Sequence, residues 1–275
     1  MNDKKIAFIG CGAMGSAIAS AIVAQINPQQ ILLSDVFTPK AKALAETLGA
    51  HFVESPVDAA KAADWVILCT KPQTVEEALH SLAPVFSEAA QEGERKVLCS
   101  ILAGVKLEKL ASLLAVPHQP ILRLMPNTPV AIGKGLGLLA ANEFLSTEEK
   151  NWFLETFSPC GELHFLEESL FDAGTVLASC SPAYVYQFIE YLSHSGVDMG
   201  LSPDMALRLS ANAVLGAAAM VLHTEQSPRA LRDMVTSPGG STIEGVRVLE
   251  EDEGFETLID KAAKASLRRN QELGG

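Results

Sequence analysis

Gly10, Gly12 and Gly15 stand at G-x-G-x-x-G spacing in IGCGAMG, directly after the apolar run Ile6 to Ile9 and at the head of a segment with helical periodicity. That setting gives the spacing chemical meaning. Gly10 permits a tight turn, Gly12 lets the main chain approach a diphosphate, and Gly15 lets the next helix pack close to the strand. The helix start, with Ala13 and Met14 in its first turn, adds unpaired N–H groups and a positive dipole end. The expectation is a bound dinucleotide. Asp35 closes the next apolar run about twenty residues on, where a carboxylate accepts hydrogen bonds from ribose hydroxyls. This favours NAD, and Val36 and Phe37 bring no cation. Ser34, Thr38 and Lys40 still lie within reach of a 2′-phosphate, so NADH and NADPH both stay open. A third run ends in CTKPQ, placing Thr70, Lys71 and Pro72 at the carboxyl edge of a strand, the edge that binds cofactors in doubly wound sheets.

The second chemical stretch is PRALRDMVTSPGGSTIEGVRVLE, residues 228–250. Ser237, Pro238, Gly239, Gly240, Ser241 and Thr242 read as a loop leading into a helix from about Ile243 to Leu249. The two glycines let backbone N–H groups turn inward, and the new helix adds its own. Such a nest holds a small carboxylate without Arg or Lys, which suits a chain of formal charge −12. Read alone, the segment serves equally well as a loop and N-cap. No HExxH spacing or cluster of His, Cys and carboxylates points to a metal. No G-x-S-x-G elbow points to an acyl-transfer nucleophile.

These residues need a scaffold, and the first half supplies strand-like runs alternating with helical patterns, the mark of an α/β chain with a parallel sheet. Expected strands are Ile6 to Ile9, Ile31 to Ser34, Trp65 to Cys69, Val97 to Ile101, Ile121 to Met125, Gly135 to Leu139 and Leu163 to Leu166. Met14, Ala17, Ile18, Ala21 and Ile22 give the first helix an apolar face, with Pro28 as its stop. Ser146 and Glu149 form a capping box, and SPCG at 158–161 ends that helix. After Leu166 only helical patterns follow, broken at SPAY, GLSPD, QSPRA, SPGGST and EDEG. The chain therefore divides into a dinucleotide-binding domain at 1–166 and a helical domain at 167–275. Ser202 and Pro203 open a helix running to His223 that is too apolar to stand free, so a subunit interface is expected there.

Composition narrows the partners. The acidic balance leaves no broad basic surface for nucleic acid or an anionic membrane. The start enters a strand without a signal-type apolar region, and Ala213 to Leu222 is too short to span a bilayer, so a cytoplasmic location is expected. The five cysteines, at 11, 69, 99, 160 and 180, lack CxxC spacing and are expected as buried, reduced thiols.

With RLMPNTP at 123–129, SPAY at 181–184, HTEQ at 223–226 and the 228–250 stretch, the chain resembles the pyrroline-5-carboxylate reductases nearly end to end. The resemblance implies a Rossmann-type doubly wound sheet followed by an all-helical dimerisation domain. It implies NADPH or NADH as cofactor and a cyclic imine substrate near the dimer interface. It further implies a homodimer, with five dimers able to assemble into a decamer. Position by position, Ser237, Gly239, Gly240, Ser241 and Thr242 fall on the family's substrate loop, with the Thr242 hydroxyl near the imine nitrogen. Glu225 falls close to the substrate site as a weaker catalytic candidate. Met125, Pro126 and Asn127 match the segment beside the cofactor, and Thr70, Lys71 and Pro72 its edge loop. Similar proteins commonly carry Asn at Ala13, and Gly and Ser at Ser179 and Cys180. A β-hydroxyacid dehydrogenase shares the architecture but needs a Lys on the first long helix after the sheet, and residues 167–195 contain none. A non-catalytic nicotinamide sensor is the other reading, and the intact SPGGST loop argues against it.

Overall fold

The structure, a computed structural model, describes residues 4–252 and 254–273. Residues 1–3, Glu253 within the EDEG break, and residues 274 and 275 lie outside the described residues. Eight strands form one sheet: β1 (Ile6–Ile9), β2 (Ile31–Ser34), β3 (His51–Phe52), β4 (Trp65–Leu68), β5 (Val97–Ser100), β6 (Ile121–Met125), β7 (Gly135–Ala141) and β8 (Gly161–Phe165). Their order is β3-β2-β1-β4-β5-β6-β7-β8. The chain winds outward from β1 through β2 to β3, then returns to β4 on the other side, which makes the β1/β4 junction the switch point where doubly wound sheets bind ligands.

The strands from β3 to β6 run parallel. The expectation of a parallel sheet fails beyond them, because β7 is antiparallel to β6 and β8 follows β7. The link from β6 to β7 holds only a 3-10 turn, Thr128–Ile132. A parallel return needs a crossover of a dozen or more residues. β3 was not foreseen, since a two-residue edge strand with an exposed His51 carries no alternation to read.

Helices cover both faces: α1 (Ala13–Ile22), α2 (Thr38–Leu48), α3 (Pro56–Lys61), α4 (Val75–Glu92), α5 (Leu107–Leu114) and α6 (Thr147–Phe157). Strand alternation sorts the core. Ile6 and Phe8 face α1, α2 and α6 with Ile18, Ala41 and Phe153, while Ala7 and Ile9 face α3, α4 and α5 with Ala59, Leu79 and Leu110. Trp65 is fully buried and stacks on Trp152 at 4.8 Å between ring centroids, so truncating it would cost about 3–5 kcal/mol. α1 stops at Ile22, before the proline expected to end it; Pro28 instead opens a 3-10 turn, Pro28–Gln30. The capping box on α6 is present, and the buried Glu149 also takes two bonds from Arg95 at 2.8 Å each.

The chain forms two compact units, one holding the sheet through Ser179 together with the chain from Leu267 on, the other spanning Cys180–Ser266. Helix α7 (Phe171–Thr175) and the π-turn Val176–Cys180 follow the last strand, yet residues up to Ser179 go with the sheet because polar ties hold them there. Glu168 accepts from Arg123 Nη1 at 2.6 Å and Leu107 N at 2.8 Å, and Ser179 Oγ donates to Pro126 O at 3.2 Å.

The second unit contains α8 (Ser181–Asp198), α9 (Pro203–Thr224), α10 (Pro228–Met234), α11 (Ser241–Glu250) and the first part of α12 (Gly254–Leu273). Ser202 caps α9 as expected, accepting from Met205 N. α8 and α9 meet along small residues: a Cβ on Gly196 would lie 3.0 Å from that of Ala206. Only Ala206 and Ser210 of α9 are buried, and Leu222 is 77% exposed. At 22 residues, α9 is also long and apolar enough to cross a bilayer by length and composition. The expectation that no stretch reaches that length is corrected: Ala213 to Leu222 is only part of the helix, since Ala and Leu before it extend the apolar run past two charged residues in the first turns.

Candidate active site

The glycine loop is built by contacts that exclude side chains. Gly10 has φ +105, and a Cβ there would sit 2.7 Å from Cys69 O; on Gly15 it would sit 2.4 Å from Gly10 O. These approaches seat α1 against β1 and the end of β4. Gly12 differs, with nothing within 4 Å of a Cβ position, so the main chain there borders open space. Gly12 is also the N-cap of α1 and brings no side chain to the first-turn N–H groups, leaving those donors for a ligand.

A groove of about 410 Å³ opens at this point, lined by Gly12, Ala13, Met14 and Gly15, by Cys69 to Pro72, by Ile101 to Ala103, and by Met125 and Pro126. The structure therefore brings Thr70, Lys71, Pro72 and Met125 together with the glycine loop. Ile101, Leu102 and Ala103 were missed, although their place just after β5, at the same carboxyl edge, could have marked them. The Thr70 hydroxyl is buried without a hydrogen-bond partner. A lined groove, an uncapped helix start and an orphaned hydroxyl together fit a dinucleotide.

Other expected cofactor residues are placed differently. Asp35 is fixed by two N–H donors, Cys11 N to Oδ2 at 2.6 Å and Phe37 N to Oδ1 at 2.8 Å. Ser34 is fully buried, with its hydroxyl turned toward Glu54 O at 3.5 Å; it presents nothing to a phosphate. Asn127 is buried too, donating to Ala178 O and accepting from Leu136 N, both at 2.8 Å. Its side chain ties the groove wall to the π-turn rather than facing the groove. Burial, with Asp35 adding to it, pushes the Cys11 thiol up to about 12, and burial does the same for Cys160. All five cysteines are free. Among the described residues no group of His, Cys, Asp and Glu could hold a metal.

In the second unit, Glu225 caps α9 in the left-handed conformation at φ 56 and is exposed. Ser237 to Gly240 form the turn between α10 and α11, with Gly239 at φ +75 and Gly240 N donating to Ser237 O at 3.0 Å. A Cβ on Gly240 would meet Ser237 Oγ at 2.7 Å. The helix begins earlier than expected: Gly240 is the N-cap, and Ser241 and Thr242 occupy the first turn. Gly240 N–H is thus spent on the turn, and the free donors are those of the first helical turn. Arg232 and Glu250 pair at 2.8 Å across α10 and α11, bracing the loop.

Comparison with known proteins gives this geometry a context. Residues 168–273 match the family described as pyrroline-5-carboxylate reductase dimerisation, and residues 5–104 match NADP oxidoreductase coenzyme F420-dependent. The pyrroline-5-carboxylate reductase of Escherichia coli K12 is 35% identical over 273 residues, covering 98% of each chain. Among solved structures, the pyrroline-5-carboxylate reductase of Coxiella burnetii superposes with a TM-score of 0.90 at 31% identity, and that of Plasmodium falciparum, with NADP bound, at 0.88 and 28%; both cover 100% of each chain. A doubly wound nucleotide groove, a helical dimerisation region and likeness along the whole length lead to one assignment: the chain belongs to the pyrroline-5-carboxylate reductase family.

Proposed function

We propose that the chain reduces 1-pyrroline-5-carboxylate to L-proline, the last step of proline biosynthesis, using NADH or NADPH. The observation that carries this is the intact SPGGST turn at the start of α11 in a chain matched end to end by reductases of that name. The nicotinamide, when bound, supplies the hydride that adds to the imine carbon, while a proton goes to the nitrogen; the protonated imine is already electrophilic, so no strong acid is required. Gly12 to Gly15 hold the diphosphate, and Thr70, Lys71, Pro72 and Met125 line the remaining groove. First-turn amides of α11 hold the substrate carboxylate, with Ser237 and Ser241 beside them. Thr242 orients the imine nitrogen by a hydrogen bond, so its contribution is positioning of the reacting atoms. Glu225 acts as an electrostatic partner.

The exposed apolar side chains of α8 and α9 are the surface that a second copy covers, giving a homodimer, and five such dimers form a decamer. The protein works in the cytoplasm, in keeping with its free cysteines. Oxidation of NADH and of NADPH, followed by absorbance with and without pyrroline-5-carboxylate, tests the activity. Substrate-dependent oxidation is expected; nucleotide binding without any turnover would reject the reaction.

A further inference from the structure

We propose that the groove takes NADH in preference to NADPH, and that Asp35 makes the choice. This rests on the dinucleotide reading above and deepens it.

Asp35 directly follows β2, and its Oδ2 lies 2.6 Å from the amide of Cys11 inside the glycine loop. It therefore borders the loop that takes the diphosphate, at the position that meets the adenine ribose in such sheets. The Phe37 amide holds the other oxygen, so the carboxylate is anchored on both sides and cannot swing away from an incoming group. Two N–H donors use two of its roughly four acceptor sites. The rest suit the two hydroxyls of an unmodified ribose. A 2′-phosphate offers no such donors and brings about −1.5 to −2 of charge toward a fixed anion on a chain of net charge −12.

The surroundings do not compensate. The Ser34 hydroxyl is sealed in the core. Val36 and Phe37 present exposed hydrocarbon. The start of α2 would be the natural anion seat, but it is short of donors: Pro39 in its first turn has no N–H, and Lys40 N is bonded to Phe37 O at 3.1 Å, so Thr38 is the residue there that still brings an amide and a hydroxyl. Lys40 itself is exposed, and its charge reaches Cys11. With Thr38 it is a residue through which a 2′-phosphate could still be held, and the test must separate its charge from that of Asp35.

The test is equilibrium titration of the purified protein with NADH and with NADPH by nucleotide fluorescence, at low and at moderate salt, for wild type, Asp35→Asn and Lys40→Ala. Wild type is expected to bind NADH at least about tenfold more tightly, with the gap narrowing as salt rises. Asp35→Asn should bring the ratio close to one, and Lys40→Ala should leave NADH the preferred nucleotide. The wild-type ratio and its salt dependence stand even if Asp35→Asn, which loses an anchor of the glycine loop, folds poorly. Equal or tighter binding of NADPH by wild type overturns the proposal. So does an Asp35→Asn protein that weakens for both nucleotides and keeps the ratio. Binding of neither nucleotide would reject the dinucleotide reading itself, a different failure that takes the preference with it.

Discussion

Replacing Thr70 with Val should move two measurements in opposite directions. The Thr70 hydroxyl is buried against the groove without a partner, and a buried group left unsatisfied costs about 1–3 kcal/mol. Valine keeps the branched shape and removes the hydroxyl, so the nucleotide-free protein should gain about 1 kcal/mol, or roughly 2–4 °C in melting temperature for a domain of 150–250 residues. If the hydroxyl meets the dinucleotide, the same change removes one hydrogen bond from the complex, worth about 0.5–1.5 kcal/mol, or roughly two- to tenfold in Kd. Thermal unfolding without nucleotide and fluorescence titration with NADH read the two effects separately. A variant that melts lower than wild type and binds nucleotide unchanged would refute the reasoning on both counts, since the hydroxyl would then be satisfied within the protein and irrelevant to the ligand.

Thr242→Ala should lower turnover with pyrroline-5-carboxylate by about tenfold or more, while nucleotide affinity measured by titration stays within about twofold; a collapse of nucleotide binding would remove the α11 turn from the substrate site. Gly15→Ala should destabilise the sheet unit by roughly 1–3 kcal/mol in denaturant unfolding, because its new methyl group meets the Gly10 carbonyl; an unchanged midpoint would contradict the close packing. Burial alone would raise the Glu149 carboxyl, but bonds from Arg95 and the Ser146 amide outweigh it and hold it below its usual value. With the folded pKa depressed, the stabilisation is present above the unfolded carboxylate pKa and is lost as pH falls through the folded one. Glu149→Gln should therefore be about 1–2 kcal/mol less stable at neutral pH, with the deficit shrinking on acidification; a constant deficit would mean that the charge plays no part.

The residues legible in the sequence were those whose role depends on local spacing. The three glycines, the Ser146 capping box and the Ser202 cap each act within a few residues of chain, and each appears where the spacing put it. Thr70, Lys71 and Pro72 were readable because a strand end fixes which edge they occupy, whereas Met125 came from the family resemblance. Ser34 and Asn127 were misplaced because sequence order gives a residue's element but not the direction of its side chain. Ser34 turns inward toward Glu54, and Asn127 is claimed by Ala178 and Leu136, partners up to 51 residues away. The reversal of β7 escaped for a related reason: apolar content marks a strand, while its direction is set by the length and path of the link before it.

The corner where Gly10, Gly15 and the end of β4 crowd together also shapes how the protein can evolve. At Gly10 and Gly15 any side chain meets backbone, so a step away from glycine at either position costs stability. Side chains have room instead at the exposed residues following β2, Val36 and Phe37. A change of nucleotide preference can therefore be made there, on the rim, while the corner itself stays as it is.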